Sequence, residues 1–173
     1  MALLVNPANR TTAENETTNA LTAAQNLGVE LRVLNASSEN DFDGAFSKLA
    51  ELSAGGLVIG ADPLFFGRSE VLGALTVRYR VPAVSESRTF VTAGGLASYG
   101  GNVNDAYRVT GIYAARILKG EKPADLPVQQ GTKIELFINL GWNRGFLLTR
   151  LGPRWCCSIV VGSMRPTDIC ATF

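Results

Sequence analysis

The chain of 173 residues contains no histidine, so it lacks the imidazole on which Ser-His-Asp and Cys-His catalysis and most zinc sites depend. It has no apolar run near the roughly 20 residues that a membrane-spanning helix needs. Sixteen basic residues balance fifteen acidic ones, which leaves no basic excess for nucleic acid. These absences argue against histidine-dependent catalysis, most zinc sites and a nucleic-acid partner, while carboxylate, lysine or tyrosine acid–base chemistry stays possible. With no positive sign of such chemistry in the motifs below, we expect a protein that is not an enzyme, with no catalytic residues, metal site or cofactor.

The last 33 residues differ in composition from the rest of the chain. All three cysteines (Cys156, Cys157 and Cys170) and both tryptophans (Trp142 and Trp155) lie beyond residue 140. That segment also has four arginines, no lysine and a single acidic residue. Adjacent cysteines do not have the C-x-x-C spacing of a metal or redox site. The sequence therefore predicts a body at 1–140 and an atypical, poorly packed tail at 141–173.

The first 85 residues alternate between strand and helix patterns. Short apolar runs typical of strands occur at Ala2–Asn6, Glu30–Leu34, Leu57–Ile59 and Val81–Ser85. Between them lie helical patterns, and the clearest apolar stripe consists of Phe42, Ala45, Phe46, Leu49 and Leu52. This β-α-β-α-β-α-β order predicts an α/β fold with a parallel sheet, right-handed crossovers and flanking helices.

Capping signals predict where the first helix begins and ends. The segment Thr11–Glu14 fits a capping box, and Gly28 suits the position just after a helix end. The residues expected on the apolar face of this helix are Ala13, Thr17, Ala20, Leu21, Ala24 and Leu27. A later helix is predicted from about Ser69 to Tyr79.

After residue 85 the pattern is less regular. The segment 93–100 is short and rich in glycine, and a helix is predicted from about Asn104 to Leu118, with Gly120 at its end. An extended connector at 121–127 follows. Alternating apolar residues in Lys133–Asn139 predict a strand with one face in solvent.

Small polar residues follow the predicted strands, where ligands bind in open α/β sheets. Asn6 and Pro7 follow the first strand, Ser37 the second and Asp62 the third, and Ser98 and Tyr99 lie in the glycine-rich segment. Such residues suit hydrogen bonding to a small molecule. They are equally suited to capping helices and making turns.

Two phosphate-binding patterns are incomplete. Gly95 and Gly100 have the glycine spacing of a P-loop, but Gly101-Asn102 stands where Lys-Ser/Thr is required. Asp62 ends a strand as a receiver phosphoacceptor would, yet Asn6-Pro7 stands where the magnesium-binding acids belong. A binding role is therefore favoured over catalysis.

The chain resembles the substrate-binding proteins of ABC transporters, in the tryptophan/tyrosine-type group. The segments that carry the resemblance occur in family order over about residues 2–140: 5–7, 33–37, 58–63, 93–100, 107–113, 116–129 and 133–140. The most specific of them is Arg116–Gln129. The resemblance implies one Rossmann-like lobe of the two-lobed, type I periplasmic-binding-protein fold, namely the second lobe, with crossover and hinge segments at about 86–130.

The family resemblance also implies a function. It predicts capture of a small organic solute, such as an amino acid, for delivery to an ABC permease, with Asn6, Pro7, Ser37, Asp62, Ser98 and Tyr99 as ligand-binding residues. Family members act in the periplasm, whereas Met1 leads into Ala2–Val5 without a signal peptide, which predicts a cytoplasmic chain as written. Absence of the first lobe would leave the helix at 104–118 with an exposed apolar patch, which favours self-association.

Other interpretations remain open. One is a small cytosolic α/β enzyme, or a regulator of receiver or flavodoxin type; another is a truncated product with no retained function. The tail departs from the family ending, and a frameshift would explain it. If Cys156-Cys157-Ser158 were encoded as TGT-TGC-TC, the frame that starts at each third base would read Leu-Leu, which suits the apolar ending of the family.

Overall fold

The computed structural model describes residues 1–129, 133–140 and 142. The predicted tail at 141–173 lies outside the described residues apart from Trp142. Within the described part of the chain, no helix is both long enough and apolar enough to cross a bilayer.

Strands and helices alternate along most of the described chain. The strands are β1 (Ala2–Val5), β2 (Arg32–Asn35), β3 (Leu57–Ile59), β4 (Ala83–Ser85), β5 (Ala97–Gly101) and β6 (Ile134–Ile138). The helices are α1 (Arg10–Asn26), α2 (Phe42–Glu51), α3 (Pro63–Gly67), α4 (Ser69–Tyr79), α5 (Arg88–Thr92) and α6 (Val103–Leu118), with 3-10 turns at Glu39–Asp41 and Pro123–Asp125.

The strands form one sheet in the order β2-β1-β3-β4-β5-β6. Neighbours from β2 to β5 pair in parallel. Beside β5, the Asn102 amide donates to the Lys133 carbonyl at 2.9 Å and the Asn139 amide to the Leu96 carbonyl at 2.8 Å. Because these bonds join the two segments in opposite sequence order, β6 runs antiparallel to β5. The predicted α/β fold with a mostly parallel sheet is confirmed.

One face of the sheet carries the larger core. Alternate strand residues such as Leu4, Ile59 and Ala83 lie in a cluster with Phe46 of α2 and Leu72 of α4. The opposite face carries a smaller cluster of Leu3, Val5 and Ala13, against which Val33 and Val58 are only partly buried. The predicted stripe of α2 is confirmed for Phe42, Ala45, Phe46 and Leu49, which are buried, but Leu52 is 41% exposed.

The prediction for the start of α1 is wrong. The helix begins at Arg10 rather than after Thr11, and Glu14 pairs with Arg10 at 2.6 Å instead of completing a capping box. Asn9 occupies the N-cap but makes no side-chain capping hydrogen bond. Its side-chain Nδ2 instead donates to Asp62 Oδ2 at 3.4 Å. A tertiary contact has replaced the local one.

The predicted apolar face of α1 is only partly correct. Ala13 and Ala24 are buried, but Leu21 is 40% and Leu27 76% exposed, because this helix covers little of the sheet. Gly28 has a φ of +64°, as predicted for the position after a helix end.

Three short elements were not predicted from the sequence. Helix α3 begins at Pro63 directly after β3, and α5 and β5 occupy the region where the pattern loosens. The strand β5 was missed because its segment is rich in glycine, which is uncommon in strands. At Gly73 and Gly94, where α4 and α5 pack, glycine is nevertheless required. A Cβ at Gly73 would lie 2.8 Å from the Ala93 carbonyl oxygen, and Gly94 has a φ of +113°.

The chain divides into two compact units. Of the described residues, the first contains 1–99, 137–140 and 142, and the second contains 100–129 and 133–136. The first includes both apolar clusters described above. The second contains α6 and is held by polar contacts, among them a bond from the Tyr113 hydroxyl to the Pro127 carbonyl at 2.5 Å.

Candidate functional site

Parallel pairing brings the ends of successive strands to the same edge of the sheet. Val5 pairs with Asn35 at the end of β1 and β2, Leu4 pairs with Ile59 of β3, and Ser85 of β4 pairs with Ser98 of β5. The residues that follow these strands therefore leave the sheet along one edge, which is where ligands bind in open α/β sheets. We refer to it as the carboxyl edge.

Asp62 is the centre of a polar cluster at the carboxyl edge. Its Oδ1 accepts a hydrogen bond from Asn6 Nδ2 at 3.0 Å, and its Oδ2 accepts one from Asn9 Nδ2 at 3.4 Å. The side chain is buried, with 6% of the residue exposed. The structure thus brings together two of the predicted site residues, Asn6 and Asp62, which are far apart in sequence.

The same carboxylate also determines the local backbone. Asp62 is the N-cap of α3 and accepts a hydrogen bond from the Leu64 amide at 2.9 Å, and Pro63 occupies the first turn, where no amide donor is needed. Asp62 therefore joins the start of α3 to the segment after β1. Its capping role explains why an acid follows β3, whatever else it contacts.

Glu16 also lies at the carboxyl edge, although it is not among the six residues predicted from the sequence. Its Oε1 accepts a hydrogen bond from the Ala61 amide at 2.7 Å. Gly60 makes the approach possible, because a Cβ at that position would also lie 3.0 Å from the Leu4 carbonyl oxygen. A sequence signal for Glu16 did exist, since Ala13, Glu16 and Ala20 share one face of α1 and an acid among apolar residues is unusual there.

Negative charge accumulates around Glu16. Burial raises the pKa of Glu16, the bond from Ala61 opposes that rise, and the negative charges of Glu86 and Asp62 raise the pKa further. Three carboxyl groups from α1, the end of β3 and the end of β4 thus influence one another. This part of the edge favours a positively charged group.

Ser87 lies just beyond Glu86, and its hydroxyl is buried without a hydrogen-bond partner among the described residues. Its backbone amide donates to Ser85 Oγ at 3.4 Å. A buried hydroxyl without a partner costs free energy and is uncommon in folded proteins. Ser87 is a second residue of this edge that sequence patterns did not indicate.

The other predicted site residues differ in accessibility. Pro7 and Ser37 are exposed, Tyr99 is 44% exposed, and Ser98 is buried at 1%. The Ser37 amide donates to Asp41 Oδ2 at 2.9 Å, and this bond, together with those from Ser38, lowers the pKa of Asp41. Tyr99 and Ser37 therefore present polar atoms to solvent at the edge, while Ser98 packs inside.

A groove of about 340 Å³ lies beside the first turns of α1. Its lining includes Pro7, Arg10, Thr17 and Asn35. Of the six predicted site residues, Pro7 is the one that lines it. Arg10 is paired with Glu14 at 2.6 Å, so its charge is already neutralised within α1.

One comparison with known proteins identifies a family. Residues 1–145 match the family model described as ABC transporter substrate binding protein. Among curated proteins, no match is found.

Solved structures show the same architecture. A conserved domain protein from Vibrio cholerae has a TM-score of 0.67 and 22% identity, over 79% of this chain and 46% of its own. The ABC domain in complex with L-Trp from Streptococcus pneumonia has a TM-score of 0.64 and 20% identity, over 79% of this chain and 47% of its own. A ligand-free, open substrate-binding protein with adhesive properties from Clostridium difficile has a TM-score of 0.60 and 18% identity, over 95% of this chain and 53% of its own. This chain thus spans about half the length of these structures, and at such identities the likeness shows the fold alone.

Proposed function

We propose that this chain, which belongs to the ABC transporter substrate-binding protein family, is part of a receptor that binds a small organic solute and delivers it to an ABC permease. Members of the family bind solutes rather than transform them, and no bond is made or broken in the proposed role. The family is of the periplasmic type, so we propose the periplasm as the site of action.

The observation that carries the proposal is the polar cluster at the carboxyl edge. Asn6, Asn9 and Asp62 come from two separate connections and meet through hydrogen bonds of 3.0 and 3.4 Å. Such an arrangement holds amide groups in position before a ligand arrives, which lowers the entropy that binding costs. Preformed polar groups at the end of parallel strands are what a solute site on this fold requires.

The charge of the edge favours an amino acid or a related ammonium-bearing solute. Glu16 and Glu86 add negative charge beside Asp62, and burial of Glu16 strengthens their effect on a nearby cation. One similar structure is a complex with L-Trp, which is also an amino acid. An α-ammonium group would relieve the repulsion among these three carboxyl groups.

The six candidate residues have different roles in this proposal. Asn6, Ser37 and Tyr99 contact the solute directly, since each offers a polar group that is at least partly accessible. Asp62 attracts the ammonium group and holds Asn6 in place. Pro7 shapes the segment after β1, and Ser98 supports Tyr99 from inside the sheet.

A binding experiment with the purified chain tests the proposal. We expect isothermal titration calorimetry to detect L-tryptophan, L-tyrosine or an aliphatic amino acid, and the N-acetyl derivative of the binder to bind at least tenfold more weakly. The variants Asn6→Ala and Tyr99→Ala should weaken binding by about tenfold, corresponding to roughly 1.4 kcal/mol. Asn19→Ala, on an exposed part of α1, is the matched control and should leave affinity unchanged.

A folded chain that binds none of these compounds contradicts the proposal and supports a truncated product without retained function. Circular dichroism of the same samples establishes that the chain is folded. Equal loss of affinity in Asn19→Ala and Asn6→Ala would also contradict the role assigned to the carboxyl edge.

The tail is a separate part of the proposal. We propose that residues 141–173 are translated from a shifted reading frame, because composition changes at residue 140 and the family match ends at residue 145. Sequencing the gene checks this directly. If no shifted frame encodes an ending like that of the family, the proposal is wrong.

A further inference from the structure

Asp62, the centre of the polar cluster, follows a short backbone segment that leaves the sheet. Gly60 is still held by β1, because its amide donates to the Leu4 carbonyl at 2.9 Å. Ala61 comes next; it is exposed and lies between the end of β3 and the start of α3. The position of the Asp62 carboxylate therefore depends on what holds the backbone at Ala61.

Glu16 holds this backbone from the side of α1. Its Oε1 accepts a hydrogen bond from the Ala61 amide at 2.7 Å, which links α1 to the connection after β3. Ala13 and Ala20, on the same face of α1 as Glu16, pack in and against the smaller apolar cluster of the sheet. Because packing on both sides of Glu16 fixes this part of the helix, the bond restrains Ala61 relative to the sheet.

Gly60 leaves the space that the Glu16 carboxylate occupies. A Cβ at position 60 would collide with Glu16 Oε2, and it would lie 3.2 Å from Glu16 Cδ and 3.0 Å from the Leu4 carbonyl oxygen. The close approach of Glu16 is therefore built into the backbone of this connection as well as into α1.

A displacement of Ala61 would move Asp62, since the two residues share a peptide bond. The Asp62 Oδ1 accepts hydrogen bonds from Asn6 at 3.0 Å and from the Leu64 amide at 2.9 Å, so small shifts would weaken both. We propose that Glu16 is a positioning residue of the solute site, which holds Ala61 so that Asp62 keeps its carboxylate in place. Residues that contact a ligand need such support from residues behind them. This role is separate from the charge of Glu16, and its effect on binding rests on the proposed function.

Amide hydrogen exchange in the ligand-free full chain, measured by NMR, tests the positioning without a solute. In Glu16→Ala, the Ala61 and Leu64 amides should exchange about tenfold faster, because one loses its acceptor and the acceptor of the other shifts. Glu16→Gln keeps an oxygen that can accept from Ala61, so both amides should stay close to their native rates. The Ala36 amide, which donates to the Val5 carbonyl at 3.0 Å, is the internal reference and should not change.

The matched control for these measurements is Glu14→Ala. It removes the same carboxylate from the same helix, but Glu14 pairs with Arg10 at 2.6 Å rather than with the connection after β3. Exchange of the Ala61 and Leu64 amides should therefore be unchanged in this variant.

Three results of the exchange experiment would overturn the inference. Unchanged exchange at Ala61 in Glu16→Ala would mean that the bond restrains nothing. Equal acceleration at Ala36 and Ala61 would mean that Glu16 stabilises the whole sheet rather than this connection. Fast exchange at Ala61 beside native exchange at Leu64 would mean that Asp62 keeps its place without Glu16.

Calorimetry with L-tryptophan, L-tyrosine and L-leucine separates this inference from the proposed function. Glu16→Ala should weaken binding of the amino acid by about tenfold and its N-acetyl derivative less, because a displaced Asp62 no longer favours the ammonium group. Glu16→Gln should recover most of the affinity. Equal losses in the two variants would show that Glu16 acts through its charge alone, which overturns the inference and leaves the proposed function intact. A native chain that binds none of the three contradicts the proposed function, and the exchange rates still decide whether Glu16 positions Asp62.

Discussion

Helices α2 and α6 carry apolar residues at the same helical spacing, but they differ in what covers those residues. In α2, Phe42, Phe46 and Leu49 are each 1% exposed and belong to the main core. In α6, no residue is buried, and Tyr107 and Leu118 are 72% and 88% exposed. An amphipathic pattern therefore establishes that a helix forms, whereas burial requires a second surface at the right place.

The two helices consequently depend on different forces. Most helical stability in proteins comes from packing of an apolar face, and α2 has such packing on the sheet. For α6, local contacts carry more of the stability: Asn102 caps its first turn by accepting the Asp105 amide at 2.8 Å, and Arg116 binds Glu121 after its last turn. The three predictions that follow compare the unit that contains α2 with the unit that contains α6, from the largest expected effect to the smallest.

Truncation of an aromatic side chain should separate the two helices most clearly. Phe46→Ala should lower the free energy of unfolding by about 3–5 kcal/mol, because it leaves a cavity beside the Tyr79 ring, whose centroid lies 5.6 Å away. Tyr107→Ala, at 72% exposure, should change it by less than about 0.5 kcal/mol. Urea denaturation at low micromolar concentration measures both. A similar loss in the two variants would mean that α6 is covered after all.

The same glycine-to-alanine change should have opposite signs in two helices. In α4, a Cβ at Gly73 would lie 2.8 Å from the backbone oxygen of Ala93, so Gly73→Ala should destabilise the protein by about 1–3 kcal/mol. In α6, the Cβ at Gly111 meets open space, so Gly111→Ala should stabilise the helix by up to about 1 kcal/mol. Thermal unfolding of the two variants gives the comparison, and equal signs would contradict it.

The pH dependence of stability should also differ in sign between the two units. Burial raises the pKa of Glu16 above its ordinary 4.5, so its protonated form is favoured in the folded state. That contribution is fully present below pH 4.5 and is lost as pH rises through the raised pKa. Glu16→Gln, which keeps an acceptor for Ala61, should therefore gain stability relative to the native chain as pH rises through this range.

Asp105 provides the opposite case. Hydrogen bonds from Arg108 and Lys133 lower its pKa below 3.8, so its stabilisation is present above pH 3.8 and is lost as pH falls through the lowered pKa. Asp105→Asn should be less stable than the native chain at neutral pH and approach it in acid. Because both groups are partly solvated, we expect small effects, measured as the unfolding midpoint in urea across pH. Shifts of the same sign for the two variants would contradict the assignment.

The sequence predicted where the candidate site lies but not all of the residues that form it. Asn6 and Asp62 stand after apolar runs, and that pattern correctly indicated that they meet at one edge of the sheet. Glu16 was visible as an acid among apolar residues of α1, but its role was not, because its bond to Ala61 spans 45 positions and forms only when the chain has folded. Ser98 and Tyr99 are neighbours in sequence, yet they are 1% and 44% exposed, because successive side chains of a strand lie on opposite faces of the sheet.

Local physical chemistry determined much of the fold. Apolar runs determined β1, β3 and β4, the 3.6-residue period determined α2, α4 and α6, and Gly28 and Gly120 ended helices at positive φ, where other residues would be strained. These features act within a few residues, so the sequence by itself contained them. Tertiary structure decided which apolar faces are covered, where Asn9 points, and which acids share an edge. Burial and charge interaction depend on distance in space, and only the assembled sheet sets those distances.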